Sequence, residues 1–367
     1  MKTVFLYAYD NRNLGDDLFV HTITKRYPGV RFYLWASERS RETYAELSNL
    51  KVLTDNDFWV RTLGKLSPRN VGRIRRFYER AADAVVYIGG SIFIEYPNWR
   101  NILNWWDFAA ENYPLFVLGA NFGPYSSEDY RETLDKIFLK TQDVCFRDRF
   151  SKECFSDNPK VRCAPDILFS LPLPPAEKKK QAFFSIIDCE QKEEGQNRLA
   201  QYDADYVHFM AEQADRLIEN GWSVVFSSFC KAQGDERGID KVLRVMKNAN
   251  QVQFCHYDGT NAALVLQTLA ESRRIYATRF HAAILGLAAE AEVIPIVYSD
   301  KTIHVLEDIS STIHYLDIRN LSNDRRIDKL PVSKIESKDL INLSLEAESH
   351  FLKLDSVLTT HTNEVLK

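Results

Sequence analysis

The chain has 367 residues, a length at which two α/β domains are expected. Of its residues 45% are hydrophobic and 27% charged, a composition typical of a globular protein. Its formal net charge of −4 gives no overall attraction to nucleic acid, so an anionic ligand would have to be held by local cations. No stretch approaches the roughly 18 consecutive apolar residues of a membrane span, and the N-terminus lacks the pattern of a signal peptide. We therefore expect a cytoplasmic protein.

Short apolar runs alternate with segments of helical spacing from the first residues onward. This alternation predicts β-α-β units with a parallel sheet. The predicted strands of the first half are residues 4–9, 31–35, 85–88, 115–118 and 144–146, with helical spacing at 16–26 and 128–139.

A proline-rich, basic segment at 171–180 interrupts the pattern, because its three prolines cannot continue a helix or a central strand. A second alternation follows, with strands at 182–187, 223–229, 251–255, 274–277 and 293–298, and helices at 206–220, 238–248, 261–271 and from 279. The sequence thus predicts two Rossmann-like domains facing across a cleft, at 1–172 and 181–330, joined by a linker at 173–180. A helical tail is predicted at 331–367.

Ligands of open parallel sheets bind beyond the carboxyl ends of the strands, and several unusual loops fall there. Gly15 permits a tight turn in the peptide 11–17, and Asp16 either caps the next helix or faces a ligand. The second loop contains Gly89, Gly90 and Ser91, and allows a ligand to approach the backbone closely. The third loop contains two residues suited to a polar turn, Asn121 and Gly123.

The most informative loop is 278–281, directly before a helix of small residues. Thr278 is predicted to cap that helix, which would place Arg279 and His281 in its first turn, where a helix already favours an anion. The alternative is a capped core helix with an exposed arginine. Lys301 follows the next strand and is expected at the same edge.

Arg147 follows the strand at 144–146 and offers a further cation. It either binds an anion or forms a surface ion pair with Asp148 or Glu153. Together with the cations of the second domain it would suit a small ligand with two anionic groups. No Walker motif or dinucleotide fingerprint is present, which disfavours nucleoside triphosphates and nicotinamide cofactors.

The ordered set of these motifs resembles the polysaccharide pyruvyl transferase family. The resemblance extends from about residue 10 to about residue 305 and rests on the peptides Asn-Leu-Gly-Asp-Asp (13–17), Gly-Gly-Ser (89–91), Asn-Phe-Gly-Pro (121–124), Arg-Asp-Arg-Phe-Ser (147–151), Ala-Pro-Asp (164–166), Arg-Phe-His (279–281) and Pro-Ile-Val-Tyr-Ser-Asp-Lys (295–301).

This resemblance implies a two-domain fold of the glycosyltransferase-B type, phosphoenolpyruvate as donor and a sugar as acceptor. It also implies that Arg147, His281 and Lys301 help to hold the donor. The chain departs from the family pattern at Ser91, at 187–188, where the family often has an arginine, and at 290–292, where a glycine is usual.

Ketal formation needs an acid and a base. His281 is the candidate general acid because the intrinsic pKa of histidine lies near neutral pH, although it could equally serve only as a phosphate ligand. Asp16, or the pair Asp235 and Glu236, is the candidate base, and each is also a credible helix cap. No cofactor is expected. No metal is expected either, since the histidines and aspartates lack ligand spacing and no C-x-x-C pair occurs.

Residues 61–80 combine seven basic side chains with interleaved apolar ones. They would suit peripheral contact with the inner face of the membrane and a lipid-linked acceptor, or they form a solvated helix face. Trp99, Trp105 and Trp106 either line the acceptor side or, for at least two of them, pack in the core.

Two other functions remain open. The same fold would serve a nucleotide-sugar glycosyltransferase, and a non-catalytic scaffold of a polysaccharide assembly complex is the third candidate.

Overall fold

The computed structural model describes residues 1–67, 69–191, 193–194, 197–321, 330 and 332–359. The chain forms two compact units. The first comprises Met1–Asp10, Asp16–Ile167 and the described residues from Glu346 on, and the second comprises Asn11–Gly15 and Leu168–Leu345.

The first unit is built on a seven-stranded parallel sheet with the order β3-β2-β1-β4-β5-β6-β7. The direction of winding reverses between β1 and β4, which is where open α/β sheets present ligand crevices. The strands are β1 Thr3–Tyr7, β2 Arg31–Trp35, β3 Leu50–Leu53, β4 Ala84–Ile88, β5 Leu115–Ala120, β6 Asp143–Phe146 and β7 Val161–Cys163. The helices are α1 Leu14–Arg26, α2 Ser40–Thr43, α3 Phe58–Leu66, α4 Arg69–Ala81, α5 Trp99–Asn112, α6 Glu128–Phe138 and α7 Arg149–Glu153.

The core of the first unit lies against β5 and β6, whose residues are all buried. Both faces of a parallel sheet are covered, so these strands are buried along their whole length and do not alternate; the one charged residue among them, Asp143, is bound to Arg162. Phenylalanines fill the space between β6 and the following loops: Phe122 and Phe138 both contact the ring of Phe155 edge-on, at centroid distances of 4.9 and 5.0 Å.

The second unit contains a six-stranded parallel sheet with the order β12-β11-β8-β13-β14-β15. Its strands are β8 Lys179–Ser185, β11 Ser223–Ser227, β12 Val252–Phe254, β13 Ser272–Ala277, β14 Glu292–Val297 and β15 Leu316–Asp317, and a separate small ladder joins β9 Glu193–Glu194 to β10 Asn197–Arg198. The helices are α8 Asp203–Glu219, α9 Asp235–Val245, α10 Ala262–Glu271, α11 Phe280–Ala288 and α12 Asp300–Ile309. Two further helices end the described chain, α13 Ser337–Ala347 and α14 Leu352–Leu358.

The ten strands predicted from apolar runs are all present, with ends that differ by up to three residues. Three further strands of the two sheets were not predicted. Strands β3 and β7 are four and three residues long and carry charged side chains at Lys51 and Arg162, and β15 has two residues. Strand β8 begins at Lys179, so the linker predicted to reach residue 180 is shorter. Its first two residues are exposed lysines, which a central strand tolerates where it projects from the packed layer.

The boundaries also differ from a division in simple chain order. Asn11–Gly15 pack with the second unit, although they fall within the range predicted for the first. The predicted tail at 331–367 is likewise divided: Ser333 pairs with Val293 of the second sheet, whereas the described residues from Glu346 on belong to the first unit.

Arg162 and His350 anchor the end of the described chain to the first unit. The guanidinium of Arg162 binds both carboxylate oxygens of Asp143, at 2.8 and 2.6 Å, and donates to the carbonyls of Ser349 and His350, at 2.5 and 2.7 Å. His350 is fully buried, and its Nε2 donates to the carbonyl of Pro165 at 2.9 Å. Burial lowers the pKa of His350 to about 4, so the ring is neutral in the folded protein.

No helix in the described ranges is both long enough and apolar enough to cross a bilayer.

The buried histidine predicts a pH dependence of stability. His350 has a pKa of about 4 when folded and 6.5 when unfolded, so the unfolded chain takes up the extra proton as the pH falls through this window. The free energy of unfolding should fall by up to about 1.4 kcal/mol per pH unit from this group, and the contribution is fully present above pH 6.5. Denaturant titrations of wild type and His350→Gln between pH 7 and 4 should differ in slope, whereas His208→Gln, at an exposed histidine, should retain the wild-type slope.

Candidate functional site

Three loops of the first unit carry the predicted polar residues to one edge of its sheet. Gly89, Gly90 and Ser91 follow β4, Asn121 follows β5, and Arg147 follows β6. Since β4, β5 and β6 are adjacent and parallel, their carboxyl ends lie side by side. The structure therefore brings these residues together as the chain order predicted.

Arg147 is held by a buried carboxylate. It is 7% exposed, and its guanidinium lies 3.0 Å from Oδ2 of the fully buried Asp166 and 2.9 Å from Oδ1 of Asn121. The alternative of a surface ion pair with Asp148 or Glu153 is wrong. Asp148 instead caps α7, accepting from the backbone N–H of Ser151 at 2.7 Å and from its hydroxyl at 2.8 Å.

Asp166 is a site residue for which no role was predicted. Its signal was present in the Ala-Pro-Asp peptide at 164–166, which belongs to the ordered motif set. Nothing in that peptide alone says which cation the carboxylate meets, because its partner Arg147 is 19 residues away.

Gly90 and Asn121 shape the surroundings of the guanidinium. A Cβ on Gly90 would lie 2.6 Å from Nη2 of Arg147, so only glycine leaves room for the guanidinium there. The side-chain Nδ2 of Asn121 is buried and has no acceptor among the described residues. A buried donor of this kind requires a partner, which a bound ligand can supply. Ser91 is exposed, with its hydroxyl 3.5 Å from Oδ1 of Asn121, and Gly123 has a φ of 91° that favours glycine.

The second unit also gathers its predicted residues at one sheet edge. Asp235 and Glu236 begin α9 after β11, Arg279 and His281 follow β13, and Lys301 follows β14. The carboxyl ends of β11, β8, β13 and β14 are neighbours in the parallel sheet. The residues therefore surround the same edge, although they come from segments far apart in the chain.

Arg279 and Asp235 form a buried ion pair at this edge. Arg279 is 7% exposed, and its Nε lies 3.1 and 3.0 Å from the two carboxylate oxygens of the fully buried Asp235. The guanidinium also donates to Oε1 of Gln233. Burial alone would lower the pKa of Arg279, but the adjacent carboxylate raises it above its ordinary value, so the guanidinium stays charged.

Asp235 is committed to structure as well as charge. Its Oδ2 accepts the backbone N–H groups of Phe229 and Cys230, both at 2.9 Å, which fixes the loop after β11. Both carboxylate oxygens of Asp235 are therefore already hydrogen-bonded. This arrangement suits a residue that orients Arg279 better than one that accepts a proton from a substrate. Glu236 is half-buried and pairs with Lys231 at 2.9 Å.

The predicted cap of α11 is wrong. Thr278 lies before the cap position, which Arg279 occupies without a side-chain capping bond. The hydroxyl of Thr278 instead meets the hydroxyl of Tyr206 at 2.9 Å in the core of the second unit. His281 lies in the first turn of α11 and is half-buried, as the sequence predicted. A helix N-terminus carries partial positive charge, so this turn favours an anion.

The segment 11–15 packs directly on this part of the second unit. The backbone N–H of Leu14 donates to the carbonyl of Phe229 at 3.0 Å, and Sγ of Cys230 lies 3.6 Å from the carbonyl oxygen of Asn11. A Cβ on Gly15 would lie 1.7 Å from Nδ1 of His281. Gly15 is thus required for the imidazole position. The tight turn predicted at Gly15 is wrong, because Gly15 lies in the first turn of helix α1.

The two remaining predicted residues, Asp16 and Lys301, each lie in the first turn of a helix. Asp16 is half-buried in the first turn of α1. Lys301 is half-buried in the first turn of α12, next to the capping residue Ser299. Because β13 and β14 are paired, Lys301 lies at the edge that also carries Arg279.

The departure at 290–292 keeps the backbone that glycine usually provides. Glu290 has a φ of 55°, and the N–H of Ala291 donates to the carbonyl of Gly286 at 3.0 Å. This geometry ends a helix with a left-handed residue, a position that most often holds glycine. The family glycine is therefore explained by the chain reversal between α11 and β14, and the glutamate adopts the same conformation.

Within the described ranges, no group of three or more His, Cys, Asp or Glu side chains is arranged to hold a metal ion. None of the six cysteines forms a disulfide, and four of them are buried. The expectation that the protein needs no metal stays a prediction.

Comparison with known proteins relates the chain to one family and to several solved structures. The model of the family described as polysaccharide pyruvyl transferase matches residues 13–300. UDP-GlcNAc 2-epimerase from Neisseria meningitidis, solved with UDP-GlcNAc, is 10% identical with a TM-score of 0.58, and the match covers 98% of this chain and 100% of that chain. The epimerase from Methanocaldococcus jannaschii is 12% identical with a TM-score of 0.57 over 97% and 100%.

A third similar structure is Anabaena HepE in complex with UDP-glucose. It is 12% identical with a TM-score of 0.55, and the match covers 98% of this chain and 99% of that chain. Likeness at such identity concerns the fold alone. It confirms the predicted fold class of two Rossmann-like domains of the glycosyltransferase-B type.

The contact between Gly15 and His281 gives a prediction that needs no knowledge of the ligand. A methyl group at Gly15 cannot coexist with the imidazole, so Gly15→Ala should displace the ring and change the His281 resonances in a histidine NMR spectrum. Gly29→Ala is the matched control, since a Cβ there meets nothing within 4 Å. Unchanged His281 resonances in Gly15→Ala would contradict the geometry.

Proposed function

The chain belongs to the polysaccharide pyruvyl transferase family, and from this we propose that it transfers a pyruvyl group from phosphoenolpyruvate to two hydroxyls of one sugar. The product is a ketal in an exopolysaccharide or cell-wall polysaccharide. The observation that carries the proposal is the edge of the second unit, where a fixed guanidinium, a half-buried imidazole and a lysine follow two neighbouring strands.

The proposed reaction balances without a cofactor. The methylene carbon of phosphoenolpyruvate takes a proton, which leaves a cation at C2. One sugar hydroxyl adds to C2, the C–O bond to phosphate breaks, and the second hydroxyl adds in its place. The two hydroxyl protons replace the proton given to the carbon and the proton carried away by phosphate.

We propose that Arg279, His281 and Lys301 hold the donor at the edge of the second unit, and that Arg147 serves as an anion-binding residue of the first unit. Phosphoenolpyruvate carries a phosphate and a carboxylate, which arginine binds in a bidentate manner and lysine binds as a point charge. The buried carboxylates Asp166 and Asp235 prevent Arg147 and Arg279 from changing position when the ligand binds. Preorganised charge of this kind stabilises a transition state without a reorganisation cost.

His281 is the proposed general acid for the methylene carbon, and Asp16 is the proposed base for the hydroxyls. A histidine in the first turn of a helix serves as a donor to an anionic substrate and can release a proton near neutral pH. Asp235 is less suited to act as the base because its carboxylate already binds Arg279 and two backbone N–H groups. The pairing of Glu236 with Lys231 also disfavours Glu236.

For the acceptor we propose a cavity of the first unit between α4 and α5. Its volume is about 370 Å³, which is room for a monosaccharide. Trp35, Trp105 and Phe108 supply aromatic surface, and the polar lining residues are Asp55, Arg75, Arg76 and Glu79. Trp99 and Trp106 are 7% and 3% exposed and pack in the core, so among the three candidate tryptophans only Trp105 lines this cavity.

The polar groups of this cavity are ordered before any sugar binds. The buried Glu79 accepts from the hydroxyl of Tyr7, and Arg75 lies 3.2 Å from Glu79 and 3.1 Å from that hydroxyl. Burial raises the pKa of Tyr7, which keeps its hydroxyl protonated. The indole of Trp105 meets Tyr7 edge-on at 5.0 Å. Indole faces stack on sugar rings while fixed carboxylates and guanidiniums bind the hydroxyls.

The donor assignment is tested by phosphate release from phosphoenolpyruvate with a panel of sugar and lipid-linked acceptors. Loss of a general acid typically costs roughly 10²–10⁴-fold in rate, so His281→Gln should lower turnover by that factor without changing the thermal melting profile. His208→Gln, at an exposed histidine on α8, should remain fully active. Wild-type activity in His281→Gln would discard the assignment.

The same preparation separates pyruvyl transfer from glycosyl transfer. Anabaena HepE was solved with UDP-glucose, so saturation-transfer NMR with UDP and with phosphoenolpyruvate gives a direct comparison. We expect contacts to phosphoenolpyruvate. Strong contacts to the uracil ring together with no phosphate release would favour a glycosyltransferase, and binding of neither ligand would favour a scaffold.

The acceptor cavity is tested by kinetics with the acceptor varied. By analogy with the stacking of nucleic-acid bases on aromatic side chains, loss of one aromatic side chain should cost about 1–2 kcal/mol of acceptor binding, or roughly 5–30-fold in affinity. Trp105→Ala should therefore raise the acceptor KM by that factor and leave the phosphoenolpyruvate KM unchanged. Trp105→Phe should restore most of the loss. Equal acceptor KM values in wild type and Trp105→Ala would remove the cavity from the proposal.

A further inference from the structure

Helix α4 presents four arginines on one side. Arg69, Arg73, Arg76 and Arg80 are spaced by four, three and four residues, which places them along one face of an α-helix, and all four are exposed. We call them the arginine face. Arg75 lies off this face and is half-buried.

The arginine face carries positive charge that no carboxylate offsets. In the part of the chain that the structure describes, Arg73 donates to Oδ1 of Asn70 and Arg76 to the carbonyl of Gly72, and none of the four arginines contacts a carboxylate. Residues 58–81 contain seven basic side chains and one acidic one, Glu79. That carboxylate is buried and bound to Tyr7 and Arg75, so it does not neutralise the exposed side.

Large aromatic side chains lie exposed in the same two helices. Phe58, Trp59 and Phe77 are 73%, 72% and 68% exposed. Phe58 and Trp59 contact each other edge-on at 5.3 Å and form an aromatic pair at the start of α3. Phe77 lines one open depression together with all four residues of the arginine face. Exposed apolar groups next to cations mark an interaction surface.

Helices α3 and α4 pack against each other. Gly64 of α3 faces Val71 of α4 so closely that a Cβ on the glycine would lie 3.2 Å from Cγ2 of the valine. The aromatic pair and the arginine face are therefore parts of a single packed helix pair. This pair carries a strong positive charge within a chain of net charge −4.

We propose that helices α3 and α4 dock the protein on an anionic lipid bilayer. The arginine face binds headgroup phosphates, and the aromatic pair and Phe77 enter the interfacial region. Lysine and arginine near an anionic leaflet each contribute to attraction, and tryptophan and phenylalanine favour the headgroup level. Charge alone would also suit a nucleic acid, but a polynucleotide offers exposed phenylalanines no apolar layer. The docking holds whether or not the reaction is pyruvyl transfer.

The charge is tested by co-sedimentation with phosphatidylcholine vesicles, with and without about 30% phosphatidylglycerol. That fraction gives the vesicles a surface potential like that of an anionic leaflet. Wild type should bind the anionic vesicles and release them in high salt. Removing two cations should weaken binding roughly 30-fold, so Arg69→Gln/Arg73→Gln should bind poorly. Arg244→Gln/Lys247→Gln, at exposed positions of the second unit, should bind as wild type. Equal binding by both double variants, or equal binding to neutral vesicles, would overturn the proposal.

Tryptophan fluorescence with the same vesicles tests the aromatic part. Anionic vesicles should shift the wild-type emission to the blue, and Trp59→Phe should lose that shift while it retains binding. Phe58→Ser/Trp59→Ser should lose binding, and Phe254→Ser, at a residue 52% exposed in the second unit, should not. Retention of the protein by duplex DNA but not by anionic vesicles would assign the surface to nucleic acid and end the proposal. Circular dichroism melting confirms that each variant is folded.

Discussion

A guanidinium buried beside a carboxylate at the end of a parallel strand is the interaction on which the candidate residues of each unit depend. Arg147 with Asp166 in the first unit, and Arg279 with Asp235 in the second, follow this pattern. A buried charge without its partner costs ~3–5 kcal/mol, so neither member of such a pair can be replaced alone. In return the guanidinium stays charged and keeps one orientation, which a site for a compact dianion requires.

The second constraint is the absence of a side chain at two glycines. Gly90 leaves the space that the guanidinium of Arg147 occupies, and Gly15 leaves the space that the imidazole of His281 occupies. In each case a Cβ on the glycine would occupy the space that the candidate side chain needs. Glycine at positions 15 and 90 is therefore explained by the space that a side chain would block. Glycine in loops is more often explained by its backbone flexibility.

The arginines of the candidate site and those of the proposed docking surface differ in their burial and in their carboxylate partners. The arginines of the candidate site are buried and paired with carboxylates, whereas the four of the arginine face of α4 are exposed and meet no carboxylate in the described part of the chain. The proposals give the same residue type two purposes that depend on its surroundings. We propose that the paired arginines hold a small ligand, and that the exposed ones create a positive field that acts on an extended anionic surface.

Most of the fold followed from local patterns. Apolar runs of five or six residues favour a strand that is buried on both faces, which is why β4 and β5 were predicted close to their observed ends. The short strands β3 and β7 carry charged residues and have no such apolar run. They are stabilised by pairing with β2 and β6, which a local pattern does not show. The order of the loops also followed from sequence, since parallel strands bring their carboxyl ends to one edge.

The sequence by itself determined which residue types stand at the carboxyl edge of each sheet: glycines with Asn121 and Arg147 in the first unit, and Arg279, His281 and Lys301 in the second. Only the tertiary structure decided their partners. Asp166 meets Arg147 across 19 residues, Asp235 meets Arg279 across 44, and Thr278 bonds to Tyr206 where a helix cap was predicted. Such pairings depend on which strands become neighbours and how far each helix is displaced. Those are properties of the packed core, and no local pattern of the chain encodes them.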